Sequence, residues 1–322
     1  MTKSVSTMTK KVEQYTIHRR SLGYAFGTDS YQLRSLARYA DRHAPGQPLT
    51  VDLALRWVTA PEGTRRNYYA ARLSALRMFA RYLIIFEPRT EIPPPGFLGP
   101  TFRRVPPRLY TPQEITALIH GRLTYRPLRL NEFLGLRNTT IIGLLACTGL
   151  RPGEALALQN RDVDMTQELL TVRCSKNLPM RLIPITPCAA EHLRRYQNVR
   201  DKCFGPPDDM EAFFRSPRGG HVHYVRLHKA FQLLCQQTGL QKAWGRYPRM
   251  QELRHTFACN HLLRAYRENR NIDNAVHELS IYLGHSKLAC TYWYLSAVPA
   301  LLELCANRFE AHARQSQKGG RP

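Results

Sequence analysis

The chain has 322 residues, 43% of them hydrophobic, and carries a net charge of +23 with a pI near 10.1. That is length for two ordinary domains and apolar content for a real core, which excludes a disordered basic tail; the charge asks for a polyanionic partner. The opening "MTKSVSTMTKKVEQY" lacks a signal-peptide core and no apolar run is long enough to span a membrane, so the expectation is a soluble, cytoplasmic protein.

The first half reads as all-helical. After Thr64, placed as an N-cap, comes "RRNYYAARLSALRMFARYLIIF". Tyr69, Leu73, Leu76, Ala80 and Leu83 recur at helical spacing as an apolar stripe. Arg66, Ala70, Ser74, Arg77 and Arg81 line another face, where small residues between arginines would let the helix approach a phosphate backbone. A solvated basic face is the equal alternative. The stretch "RTEIPPPGFLGPTFRRVPPR", residues 89–108, is crowded with proline and glycine and holds no helical period. It divides the chain into a helical domain at 1–92, a linker at 93–107 and a second domain at 108–322. Residues 1–106 hold 17 Lys and Arg against 7 Asp and Glu, a net of +10, and the remainder carries 30 against 17, a net of +13. Both halves are basic, as a clamp closing on one polyanion would be.

The second half opens with "YTPQEITALI", where Thr111 is the N-cap, Pro112 the first helical residue and Glu114 the third capping-box position. Further on, "ELLTVRC" and "RLIPI" are short and β-rich and flank the turn "SKNLPM", with Lys176 at its tip. Helix then dominates. The fold class is mainly α with a small β-hairpin.

Eight cysteines are scattered through segments that read as buried, with no C-x-x-C pair, as in reduced proteins. No P-loop, H-E-x-x-H or zinc-type spacing occurs, and His221-Val222-His223 lacks a third ligand. No metal and no cofactor is expected. "SPRGGHVHYVRLHKAF" reads as a loop entering a basic helix, placing Arg226 and Lys229 against a nucleic acid.

Four separated pieces line up. In "ACTGLRPGEALAL", residues 146–158, Thr148-Gly149 makes a turn and Pro152 begins a helix, so Arg151 sits at a helix start with a planar fork suited to phosphate oxygens. Glu154 fits a supporting role. Lys176 on its turn can reach into a site and give up a proton, although a turn lysine in isolation is a solvated charge. "MQELRHTFACNHLL", residues 250–263, begins a helix with Arg254 and His255, its apolar face including Phe257 and Leu262. The fourth, "YLGHSKLACTYWYL", residues 282–295, holds His285 and three tyrosines. A phenol with a pKa near ~10 is a poor nucleophile unless prepared by its surroundings.

The order "TGLRPGE", a lysine before "RLIPI", "ELRHTF", then "LGHS" with a tyrosine nine residues on, resembles the tyrosine recombinase (phage-integrase-like) family, and "TYWYLSAVPALLEL" is similar to a subgroup carried by bacterial mobile elements. The resemblance covers residue 108 to the end and extends to the basic helical first half, which is similar to the family's core-binding domain. It implies a core-binding domain and an α+β catalytic domain forming a clamp on double-stranded DNA. It implies a site-specific recombinase of integrase or transposase type, working through a 3′-phosphotyrosine and located with the nucleoid. Arg151 and Arg254 match the two arginines, Lys176 the hairpin lysine, His285 the late histidine and Tyr294 the nucleophile, with Tyr292 the runner-up. Tyr292 and Tyr294, two residues apart, point to different helix faces. The family's histidine three residues before the second arginine is here Gln251, which cannot exchange a proton at neutral pH. His255 and His285 are the substitutes available. An accessory DNA-binding homologue with an impaired site and a topoisomerase-like nicking and resealing enzyme are the alternatives.

"AYRENRNIDN" reads as extra helix and loop. The C-terminal "PALLELCANRFEAHAR" is amphipathic, with Val298, Leu301, Leu302, Cys305 and Phe309 on one stripe. Packing within the chain and docking on a neighbouring subunit both fit; the resemblance implies the second, in a tetramer on DNA.

Overall fold

The computed structural model describes residues 7–98 except 25 and 65, residues 107–123, 130–173 and 180–297, and positions 303, 306 and 310. The chain divides into two compact units, 1–105 and 106–322.

The first unit is built from α1 (Met8–Ser21), α2 (Gly27–His43), α3 (Val51–Thr59) and α4 (Arg66–Leu83). Thr7 and Thr50 cap α1 and α3 by accepting backbone N–H bonds, as short hydroxyl side chains do at helix starts. The core gathers Leu33, Leu36, Trp57, Leu76 and Phe79. In α4 the predicted stripe is inside: Leu73, Leu76, Ala80 and Leu83 are buried and Tyr69 half-buried. One expectation needs correction: Ala70, placed on the basic face, is buried. The Thr64 hydroxyl donates to the Pro61 carbonyl (3.2 Å), and residue 65, between Thr64 and α4, lies outside the described residues. Arg72, which the sequence pattern passes over, is buried too. It donates to Trp57 O (2.7 Å) and lies 3.9 Å over the Trp57 ring, so a cation–π contact and a carbonyl meet the charge. The proline-rich stretch begins as ordered chain: Glu91 N–H donates to Leu49 O, and Pro93 and Leu98 carbonyls accept from Arg77 and Arg66.

The second unit starts with α5 (Pro112–His120), whose Thr111–Glu114 capping box forms as the sequence predicts. Then come α6 (Asn131–Thr148), α7 (Pro152–Leu156), β1 (Val163–Asp164), β2 (Leu169–Val172) and β3 (Arg181–Pro184). They make an antiparallel sheet of order β1-β2-β3, with Leu170 opposite Ile183. The predicted hairpin is β2 and β3; β1 is an addition that two residues were too short to announce. Next follow α8 (Pro187–Phe204), α9 (Tyr224–Gln237), α10 (Leu240–Trp244), α11 (Gln251–Arg267), α12 (Ile272–Leu283) and α13 (Ala289–Ala297). "AYRENRNIDN" resolves into the end of α11, a turn, and Asn271 capping α12.

A larger core around Phe133, Ile141, Leu145, Tyr196 and Phe231 lies beside a smaller one around Cys259, Leu262, Val276, Leu279 and Tyr294. Of the described cysteines, Cys235 and Cys259 are buried, whereas Cys147, Cys188 and Cys203 are exposed, contrary to the expected burial; all of these are free thiols. Val298, Leu301, Leu302, Cys305 and Phe309 lie outside the described residues. Among the described residues no helix is long and apolar enough to cross a membrane.

Candidate active site

The site is assembled by two left-handed glycine turns. α6 ends at Gly149 (φ 64°), whose N–H donates to Leu145 O (3.1 Å). Only glycine takes that conformation without strain, and a Cβ there would stand 2.6 Å from Phe257 Cδ1. Two residues on, Arg151 is the N-cap of α7, with Pro152 at the first helical position. α12 ends at Gly284 (φ 64°), which delivers His285.

Arg254, on the first turn of α11, joins these turns. It is 1% exposed, donates from Nη1 to Gly149 O (2.8 Å) and from Nη2 to Leu283 O (2.6 Å). Burial, and then the Arg151 charge, push its pKa down to about 10, so it stays a cation at neutral pH. Arg151 reaches the same turn, Nη2 donating to Gly284 O (3.2 Å), with a third of its side chain still open. Two arginines thus hold adjacent carbonyls of one turn.

Glu154 is the counter-charge. Its carboxylate accepts from Arg151 N (2.9 Å), Arg151 Nη1 (2.7 Å) and Arg181 Nη2 (2.7 Å). Burial alone would raise its pKa; the Arg151 N–H and the Arg181 guanidinium outweigh it and hold the carboxyl below its ordinary value. Arg181, first residue of β3, also donates from Nε to Tyr282 O (3.0 Å) and packs against Gly284. Sequence reasoning missed it. Its only signal was an arginine opening the otherwise apolar strand "RLIPI".

The three tyrosines separate cleanly. Tyr282 is half-buried and stacks on Phe257 (5.4 Å, 18°). Tyr292 is 40% exposed and donates to Asp273 Oδ1 (2.9 Å), turned away from the arginines. Tyr294 is 3% exposed, and its hydroxyl lies 3.0 Å from His255 Nδ1. Burial pushes the Tyr294 phenol up to about 12 against the pull of Arg254, so it holds its proton in the resting site.

His285 sits with its ring 6.3 Å from that of Tyr294 and its Nδ1 2.7 Å from the hydroxyl of the fully buried Thr291. Burial, then Arg254 and Arg151, lower its pKa to about 4; burial lowers His255 to about 4 as well, against the opposing pull of Glu252. Both imidazoles are neutral at pH 7.

Arg151, Arg254, His285 and Tyr294 are therefore gathered around the α12 turn, the Tyr294 phenol close enough to both arginines to feel their charge. Gln251, first residue of α11, is exposed and makes no side-chain hydrogen bond among the described residues. Lys176 lies outside the described residues, between β2 and β3. Arg226 and Lys229 are exposed on α9. In the first unit Arg81 is exposed, while Arg66 and Arg77 spend one N–H each on Leu98 O (3.1 Å) and Pro93 O (2.8 Å). Among the described residues no three His, Cys, Asp or Glu side chains group as a metal site, and His221 Nδ1 pairs with Leu156 O (2.9 Å).

Residues 110–299 match the model of the phage integrase family. The chain is 33% identical over 310 residues, 95% of its length and 98% of the relative's, to y4rB of Sinorhizobium fredii, a proposed integrase/recombinase. It is 31% identical over 243 residues to the tyrosine recombinase XerC of Actinobacillus pleuropneumoniae, covering 74% of this chain and 72% of that one. Among solved structures the fold is similar to the Tn1549 transposon integrase in complex with transposon right end DNA (TM-score 0.63, 17% identity, 94% of this chain and 99% of that one). It is also similar to the XerH site-specific recombinase bound to palindromic difH substrate (TM-score 0.64, 16% identity, 94% and 85%). With more than half its length matched by the family model and a full-length relative at one-third identity, the chain belongs to the phage integrase family and is a tyrosine-type DNA recombinase.

Proposed function

We propose that the chain cuts and rejoins double-stranded DNA of a mobile element with Tyr294 as nucleophile, its two basic units closing on the duplex. The observation that supports this reading is that Tyr294 is buried with its ring 6.3 Å from that of His285 and its phenol within reach of the Arg254 and Arg151 charges, whereas Tyr292 is exposed and bonded to Asp273.

A guanidinium has five N–H donors, and Arg254 spends two of them on carbonyls. The remaining ones, with those of Arg151, bind the non-bridging oxygens of one phosphate and offset the charge that grows in the transition state. His285 adds a hydrogen bond, and Gln251 can donate another. Tyr294 Oη attacks phosphorus, the P–O5′ bond breaks, and Lys176 protonates the departing 5′ oxygen. The 3′-phosphotyrosyl link conserves the bond, so the 5′ hydroxyl of a second strand reverses the step without metal or nucleotide. Arg66, Arg77, Arg81, Arg226 and Lys229 contribute backbone contacts. The C-terminal segment joins subunits into a tetramer on DNA, in the cytoplasm where the nucleoid lies.

The test is a nicked duplex carrying the native site, found from the flanks of the gene, which traps the covalent step. A denaturant-resistant adduct on Tyr294, absent in Tyr294→Phe and present in Tyr292→Phe, is the expected result. Tight binding with no adduct would replace this reading by that of an accessory DNA-binding protein.

A further inference from the structure

Attack by a phenol needs somewhere for its proton to go. Gln251 offers no such place, since an amide neither accepts nor returns a proton at neutral pH. Among the described residues one side chain lies within hydrogen-bond distance of Tyr294 Oη: His255, through Nδ1 at 3.0 Å. His285 is nearby, but its Nδ1 is engaged with Thr291 Oγ1 at 2.7 Å, and its ring lies alongside that of Tyr294.

His255 is also held in place. Its backbone is on the first turns of α11, directly after the buried Arg254. The Trp293 ring meets the imidazole edge-on at 5.7 Å, and the imidazole is tilted against the Tyr294 ring at 5.5 Å. The imidazole packs on both rings, which also touch each other at 5.4 Å, so the contact with the phenol is a property of the α11–α13 packing.

We propose that His255 is a catalytic residue of this recombinase, the general base that takes the Tyr294 proton as the Oη–P bond forms. The inference rests on Tyr294 being the nucleophile. In the cleavage step the Oη–H bond breaks and His255 Nδ1 gains the proton; Oη–P forms, P–O5′ breaks, and the 5′ oxygen takes a proton from the general acid. In resealing the sequence runs backwards, and the His255 imidazolium returns its proton to the departing Tyr294 oxygen. The acceptor must be neutral beforehand, with Nε2 carrying the ring proton, and burial ensures neutrality at pH 7. Transfer to so weak a base proceeds only in concert with attack, when the phenol oxygen loses its affinity for the proton. The charged and titratable groups that face the ring are Arg249, Glu252 and Arg254 from α11 and the turn before it, Tyr294 from α13, and His285; Cys259 and Cys290 act on the Tyr294 phenol. Glu252 and the bound phosphate favour the imidazolium, and the arginines oppose it.

The experiment measures single-turnover adduct formation on the nicked duplex across about pH 6 to 9 for the wild type, His255→Gln, His255→Ala and Tyr294→Phe. Glutamine keeps a polar side chain in the slot but cannot take a proton. The expected result is a loss of roughly 10²- to 10⁴-fold at neutral pH in His255→Gln with DNA affinity kept. The residual rate should climb about tenfold per pH unit, because hydroxide then removes the proton, while the wild-type rate is flat. A His255→Gln rate within tenfold of wild type, or a large loss with an unchanged pH profile, overturns the inference and leaves His255 as packing. If His255→Ala fails to fold, His255→Gln alone decides. An adduct that persists in Tyr294→Phe would instead remove the nucleophile assignment, and this inference with it.

Discussion

Arg181 Nη2 lies 2.7 Å from Glu154 Oε2, and the same carboxylate holds the Arg151 guanidinium at 2.7 Å. One buried acid therefore ties the foot of β3 to the start of α7, and Arg181 carries the tie on to the Tyr282 carbonyl beside Gly284 and His285. The arrangement closes a ring: Arg151 to Glu154, Glu154 to Arg181, Arg181 to the α12 turn, and that turn back to Arg151 through Gly284 O. Such a ring fixes where the Arg151 and Arg181 guanidinium groups stand, because neither side chain is stiff by itself.

Removing one member leaves the others buried without their partner, which is costlier than never having built the pair. Glu154→Gln should therefore destabilise the second unit by about 3 kcal/mol and lower the cleavage rate further than that loss explains. Urea denaturation gives the first quantity and single-turnover cleavage at saturating protein the second. Arg181→Ala should show the same pattern. Unchanged stability in both variants would mean the ring is solvated and carries little.

The titrating groups of the site set an acid limit. His255 and His285 are lowered from an ordinary 6.5 to about 4 by burial and neighbouring cations, so between those values the unfolded chain binds protons that the folded chain does not. Above 6.5 they contribute no pH dependence; as pH falls towards 4 they remove stability. Glu154 acts in the same direction at lower pH, since a depressed carboxyl stabilises the fold above its ordinary pKa and loses that contribution as pH falls through the folded value. The urea midpoint should accordingly drop between about pH 6.5 and pH 4, and less steeply in His255→Gln. A flat midpoint over that range would contradict the burial of both rings.

Tyr292 and Tyr294 make opposite predictions from one helix. Tyr292 is exposed and its hydroxyl donates to Asp273, a surface contact between α13 and α12. Tyr292→Phe should leave the urea midpoint unchanged and adduct formation within a few-fold of wild type, because water replaces a surface hydrogen bond. Tyr294→Phe fills the same buried slot, so it should keep the fold and DNA affinity while losing the adduct altogether. Mass spectrometry of the trapped peptide reads both outcomes.

Much of the site was legible because its devices are local. Thr111 with Glu114, and Arg151 followed by Pro152 and Glu154, are helix-start patterns that need no knowledge of the rest of the chain. The tyrosine pair was half legible: a two-residue separation guarantees different faces, but which face meets Arg254 depends on how α13 packs against α11. What spans the chain was not legible. Arg181 finds Glu154 across 27 positions and Tyr282 across 101, and no local period encodes that. The buried arginines were missed for a related reason. Arg72 and Arg200 carry no local signal of burial; the carbonyls that meet them, Trp57 O and Phe213 O, come from elsewhere in the chain. Even the basic face of α4 was overdrawn, since Ala70 proves to be core.

Gly149 offers the sharpest test of how backbone shape supports the chemistry. Its φ of 64° is unfavourable for any residue with a Cβ, by roughly 1 kcal/mol or more. An added Cβ would also meet Phe257 Cδ1 at 2.6 Å and Leu283 Cδ2 at 3.2 Å. Phe257 cannot retreat freely, because it stacks on Tyr282. Gly149→Ala should thus destabilise by about 2 kcal/mol or more. The shift would also move the Gly149 carbonyl that anchors Arg254 Nη1, so cleavage should fall even under conditions where the variant is fully folded. Gly153→Ala is the matched control for stability, since that glycine is helical with open space around the position of its missing Cβ. Melting curves of the two variants, followed by single-turnover cleavage of Gly149→Ala at a temperature well below its transition, separate the loss of fold from the loss of arginine placement. Full activity in folded Gly149→Ala would show that Arg254 is anchored by the Leu283 carbonyl alone.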